Sequence, residues 1–63
     1  MVTSDDLSEA WKQGYIKGWQ TIKPTIPSIP TRTASYPAGI MDPITYFYNK
    51  GFELGKYNAS IAP

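Results

Sequence analysis

One motif occurs twice in this chain and constrains most of what it can fold into. Trp11-Lys12-Gln13-Gly14-Tyr15-Ile16-Lys17-Gly18 reads aromatic-x-x-Gly-aromatic-x-x-Gly, and so does Tyr48-Asn49-Lys50-Gly51-Phe52-Glu53-Leu54-Gly55. The offset is 37 residues at every matched position and extends upstream, pairing Asp5 with Asp42, Leu7 with Ile44 and Ala10 with Phe47. A glycine inside a helix costs roughly 1 kcal/mol relative to Ala. Four glycines at matched positions therefore predict two equivalent helices in close contact, glycine face to aromatic face.

The local signals give each helix its limits. Residues 5–22 read as the first helix: Thr3 or Ser4 can cap it, and Asp5, Asp6 and Glu9 suit the positive end of its dipole. Leu7, Ala10, Trp11, Gly14, Tyr15, Gly18, Trp19 and Ile22 recur at steps of three and four, which defines one face. Pro24 stops this helix. Residues 43–57 read as the second, with Asp42 as N-cap, Pro43 in the first position and Ile44, Phe47, Tyr48, Gly51, Phe52 and Gly55 on its apolar face. Residues 58–63 read as a frayed tail.

Residues 23–41 form a Pro-rich linker in which Pro24, Pro27 and Pro30 recur every third residue. Polyproline II has three residues per turn, so the prolines line one edge and Ile26 and Ile29 a second. Tyr36-Pro37-Ala38-Gly39 reads as a turn, with Gly39 permitting positive φ. The expected fold is all-α: one domain, 1–63, of two antiparallel helices joined by a long, ordered, polyproline-like loop. Trp11, Tyr15, Trp19, Tyr48 and Phe52 are the expected core, and Gly14, Gly18, Gly51 and Gly55 the expected helix contact.

A chain of 63 residues buries only a modest core. It has no Cys for disulfides and no His for general-base or zinc chemistry. Its stability must come from nine aromatic residues, or from a partner or a second copy. The carboxylates Asp5, Asp6, Glu9, Asp42 and Glu53 form no catalytic pair, and no phosphate loop or nucleophile elbow is present. The chain reads as a non-enzyme without metal or cofactor.

Six basic and five acidic residues leave a net charge of +1, unlike the clustered positive charge of a strong nucleic-acid binder. The two Gly-x-x-x-Gly pairs are also a membrane-dimer pattern, but Lys12, Lys17, Lys50 and Glu53 around them oppose insertion. The acidic start Met1–Asp6 has no apolar stretch of a signal peptide, which with the lack of Cys fits a cytoplasmic protein. Pro24-x-x-Pro27-x-x-Pro30 between Lys23 and Arg32 has the look of an SH3-type ligand. The simpler reading is a strap packed over Trp11, Trp19 or Tyr48. The candidate partner-binding residues are Trp19, Lys17, Lys23, Arg32, Tyr36, Tyr46 and Lys50.

The order of these parts resembles the ribosome modulation factor family of small bacterial proteins. The residues that carry the likeness are Ala10–Gly18, the aromatic-proline pair Tyr36-Pro37 after a proline-containing loop, and Tyr48–Gly55. The resemblance implies two helices with a long ordered connection. It also implies binding to ribosomal RNA and protein near the messenger exit, giving inactive paired ribosomes. Three functions follow as expectations. The first is a regulator that binds a ribonucleoprotein, with RNA contact. The second is an inhibitor or adaptor, as bacteriophages encode, that binds a host or virion protein through exposed aromatics and the Pro-rich strap. The third is a structural subunit that works only as a homo-oligomer or within a particle.

Overall fold

The computed structural model describes residues 3–29 and 39–62. It is all-helical, with no strand among the described residues: α1 spans Ser4–Gln20 and α2 spans Pro43–Ile61. The N-terminus of α1 is closed by a capping box, in which the Thr3 Oγ1 accepts from the Asp6 N–H at 3.2 Å and the Asp6 carboxylate accepts from the Thr3 N–H at 3.1 Å. Beyond Gln20 the chain winds on for a few residues, the Ile22 and Lys23 N–H groups both donating to the Trp19 carbonyl. In α2, Asp42 caps with Pro43 in the first turn.

Three expectations about these elements are corrected. The first helix ends at Gln20 rather than 22, and Ile22 is 47% exposed instead of facing the core. The segment after 57 is not frayed but helical to Ile61. Two contacts hold that last turn: Ala59 is buried, and Asn58 Nδ2 donates to the Tyr15 hydroxyl at 2.9 Å. Among the core residues, Leu7, Phe47 and Ala59 join Trp11 and Tyr15, while Trp19, Tyr48 and Phe52 are only half-buried.

The larger correction concerns direction. A Cβ added to Gly14 would collide with the Tyr48 carbonyl, and one added to Gly18 with the Phe52 carbonyl. One turn forward on α1 is thus one turn forward on α2, so the helices run parallel, not antiparallel. The reverse contacts agree: Gly51 lies against the Trp11 carbonyl and Gly55 against the Tyr15 carbonyl. Tyr48 is the repeat counterpart of Trp11, and Phe52 that of Tyr15, so each contact has an equivalent made by the other helix. The repeat in the sequence is therefore a two-fold relation in space, about an axis running along the helix pair.

Parallel helices explain the linker. The chain leaves α1 at one end of the pair and must re-enter α2 at the other, a return of about 25 Å for a 17-residue helix. Thr25 accepts a hydrogen bond from Trp19 Nε1 at 3.1 Å, Pro27 is buried, and Ile29 packs on the cluster of Leu7, Trp11, Tyr15 and Phe47. The strap thus travels back down the pair from the C-terminal toward the N-terminal ends. Ile26, expected on the packed edge, is exposed instead. Gly39 takes the positive φ, +90°, that its expected turn requires; residues 36–38 of that turn lie outside the described residues.

Candidate binding groove

Two helices touching along one face leave a groove on either side of the contact. An axis that exchanges parallel helices also exchanges the two grooves. A residue of α1 that faces one groove therefore has its repeat counterpart on α2 facing the other.

One groove is closed. Trp11, Tyr15 and Trp19 line it from α1 as a continuous run of rings, with centroids 5.4 Å and 6.4 Å apart. Phe47 and Asn58 face them from α2: Phe47 shares the buried cluster with Trp11 and Tyr15, and Asn58 bonds to the Tyr15 hydroxyl. Leu54, two helical turns beyond Phe47, continues that flank. The strap lies over this groove, and Trp11 and Tyr15 keep only 7% and 3% of their surface.

The counterpart groove follows from the two-fold relation. Tyr48, Phe52 and Lys56 of α2 replace Trp11, Tyr15 and Trp19, while Ala10 and Lys17 of α1 and its C-cap Thr21 replace Phe47, Leu54 and Asn58. The backbones come together here, since a Cβ on Gly18 would stand 3.0 Å from the Lys56 nitrogen. Tyr48 and Phe52 are half-buried where their counterparts are covered, and Lys17 and Lys56 are exposed. The six residues comprise two aromatics, two lysines and no carboxylate. The chemistry on offer is stacking or apolar packing on Tyr48 and Phe52, with two positive charges at the C-terminal end of the groove, which suits binding.

The expected site residues do not form one cluster. Gly14, Gly18, Gly51 and Gly55 are all buried at the helix contact. Trp19 holds the strap through Thr25 and stacks on Tyr15. Lys17 faces the open groove. Lys23 is half-buried just beyond α1. Tyr46 is half-buried against the core cluster, and the exposed Lys50 one turn on has its ammonium 5.6 Å from the Tyr46 ring centre and 4.0 Å from Glu53. Tyr46 also meets Phe47 edge to face. Arg32 and Tyr36 lie outside the described residues. Sequence reasoning did not name Tyr48, Phe52 and Lys56 among the candidate partner-binding residues, placing Tyr48 and Phe52 in the core. The repeat itself carried the signal, because one strap can cover only one of two equivalent grooves.

A second apolar surface lies at the C-terminal ends of the helices. Leu54, Tyr57 and Ile61 follow one another on α2 at helical spacing and are all exposed, as are Ile22 and Ile26 just beyond α1. Parallel packing puts both sets at the same end. No helix of the described residues is long and apolar enough to cross a membrane, and those residues hold no cluster of potential metal ligands. Compared with known proteins, the chain matches no family model, no curated protein and no solved structure.

Proposed function

We propose that this protein is a small, non-catalytic binding module of the cytoplasm that attaches to a larger protein or ribonucleoprotein complex and regulates it. The observation that carries this reading is the open groove: Tyr48 and Phe52 are left half-exposed, with Lys17 and Lys56 at the C-terminal end of the same groove, while the equivalent aromatics are covered by the chain's own strap. Exposed aromatics next to cationic side chains are typical of interface cores and their rims. The resemblance to ribosome modulation factor, carried by the two Gly-aromatic repeats and their proline-containing connection, supports a ribonucleoprotein as the target and translation as the process regulated. The polyproline-like strap acts as a fixed lid on the closed groove, leaving the other for the partner.

The exposed surface of Ile22, Ile26, Leu54, Tyr57 and Ile61 favours a second reading. In it the protein is an inhibitor or adaptor, encoded by a phage, that docks on a host or virion protein or on its own copy through that end.

The test is capture by the tagged full chain from bacterial lysate, with and without RNase, beside a Lys17→Glu/Lys56→Glu variant. Loss of ribosomal components in the variant, and on RNase treatment, supports the first reading. Capture unchanged by the variant but abolished by Tyr57→Asp overturns the groove in favour of the apolar end.

A further inference from the structure

The strap shows what kind of chain segment this architecture accepts. On the closed groove it presents three alternate residues: Thr25 bonds to the Trp19 indole, Pro27 is buried, and Ile29 packs on Leu7, Trp11, Tyr15 and Phe47. It runs from the C-terminal toward the N-terminal ends of the helices. A two-fold axis along the pair preserves that direction, so a segment on the open groove would lie the same way. Tyr48 and Phe52 there stand in for Trp11 and Tyr15, so a segment laid in the same way would set a β-branched side chain against an aromatic cluster, as Ile29 is set in the closed groove, with a proline beside it. The difference is at the upper end, where Trp19 is replaced by Lys56, and Leu54 on the facing flank by Lys17.

We infer that the open groove binds an extended peptide segment of the partner, carrying a carboxylate two residues before a proline and an isoleucine or similar residue two residues after it. The carboxylate occupies the place of Thr25, between Lys56 and Lys17. The proline and the apolar residue take the places of Pro27 and Ile29, over Phe52 and Tyr48. This inference rests on the binding-module reading and gives it a ligand chemistry. A proline-containing segment suits the role because little conformational freedom is left for it to lose on binding. Two of the six groove residues are lysines and none is a carboxylate, Glu53 nearby being 4.0 Å from Lys50, which favours an acidic segment over a basic one.

The probes come from the protein itself: a synthetic peptide of residues 24–30, Pro-Thr-Ile-Pro-Ser-Ile-Pro, and the same peptide with Thr25→Glu. Each is titrated into the isotopically labelled full chain and followed by backbone amide shifts. The expected result is saturable shifts at Ala10, Gly14, Thr21, Tyr48 and Phe52, with those of Leu54 and Asn58 unmoved. The Thr25→Glu peptide should bind about threefold more tightly, as an exposed ion pair warrants, and Lys56→Gln should remove that gain. Phe52→Ala should weaken both peptides about tenfold. The shift map on the unaltered chain does not depend on the fold of any variant.

Shifts confined to Leu54 and Asn58 would mean that the peptide merely displaces the strap, and would overturn the inference. So would the absence of saturable shifts with either peptide. A single-stranded oligouridylate titrated in parallel separates this failure from that of the wider reading. If the oligonucleotide saturates the same groove and the peptides do not, the peptide inference falls while the binding-module reading stands.

Discussion

Asn58 Nδ2 donates to the Tyr15 hydroxyl across 43 residues of sequence, at 2.9 Å, and ties the last turn of α2 to the middle of α1. The bond sits at the upper end of the closed groove and is partly buried. Its counterpart in the repeat is Phe52 against Thr21, which has no such pair of polar groups. The two-fold relation is thus broken chemically on the side that the strap covers.

Removing that bond should loosen the C-terminal turn. Tyr15→Phe and Asn58→Ala are each expected to cost about 1 kcal/mol, the net worth of a typical intramolecular hydrogen bond. In a domain of this size that lowers Tm by about 4–8 °C. The double variant should cost less than the two losses added, because both remove the same bond. Thermal unfolding followed by circular dichroism checks all three, and additive losses would refute the coupling.

The glycine contact allows a sharper comparison. A methyl group at Gly14 or Gly51 would run into a backbone carbonyl of the other helix, and backbone has no rotamer with which to move aside. Gly14→Ala and Gly51→Ala should therefore each destabilise by about 3 kcal/mol or more, despite the better helix propensity of Ala. Because the contacts are equivalent, the two losses should match. Gly39→Ala is the control: it meets nothing within 4 Å but must hold φ at +90°, so its cost should be only about 1–2 kcal/mol. Urea unfolding of the three variants decides, and mild effects at Gly14 and Gly51 would refute close contact.

Helix direction can be measured directly, since the chain has no native cysteine to interfere with labelling. Gln20 and Tyr57 are repeat counterparts and stand at the same height in a parallel pair. Spin labels at Gln20→Cys and Tyr57→Cys should report a separation set by neighbouring helix axes, about 10 Å apart, plus the label arms. An antiparallel pair would add about 20 Å of axial displacement.

Acid should act on the start of α2. The Thr45 hydroxyl donates to the Asp42 carboxylate at 2.7 Å, and the Thr45 N–H donates to it at 3.2 Å. These bonds, the hydroxyl's first, hold the Asp42 pKa below its ordinary value of 3.8. A carboxylate whose pKa is lower in the folded state stabilises the fold fully above its unfolded value. That contribution disappears as pH falls from 3.8 through the folded pKa. Asp42→Asn keeps an N-cap side chain and should flatten this part of the acid-unfolding profile. An unchanged profile would show that Asp42 is not the group responsible.

At the other helix start, Thr3→Ala removes one half of the capping box and should cost about 1 kcal/mol. The loss should appear as faster amide exchange of Asp6, whose N–H is bound by Thr3, while the core amides of α1 slow or speed only with global stability.

The sequence by itself determined the two helices, their starts and the glycine contact. Those features rest on local chemistry: a capping side chain three residues from its N–H, a proline where no donor is needed, and glycines spaced one turn apart. The end of α2 was not legible in this way, because Asn58 and Ala59 are held by groups far away in the sequence. Direction and sidedness belonged to the tertiary structure. A smooth glycine face accepts a helix running either way, and helical periodicity is the same read up or down. The register of Gly14 on Tyr48 and Gly51 on Trp11 decides for parallel, which in turn requires the long return strap. The strap can pass on only one side, so it buries Trp11 and Tyr15 and leaves Tyr48 and Phe52 half-exposed.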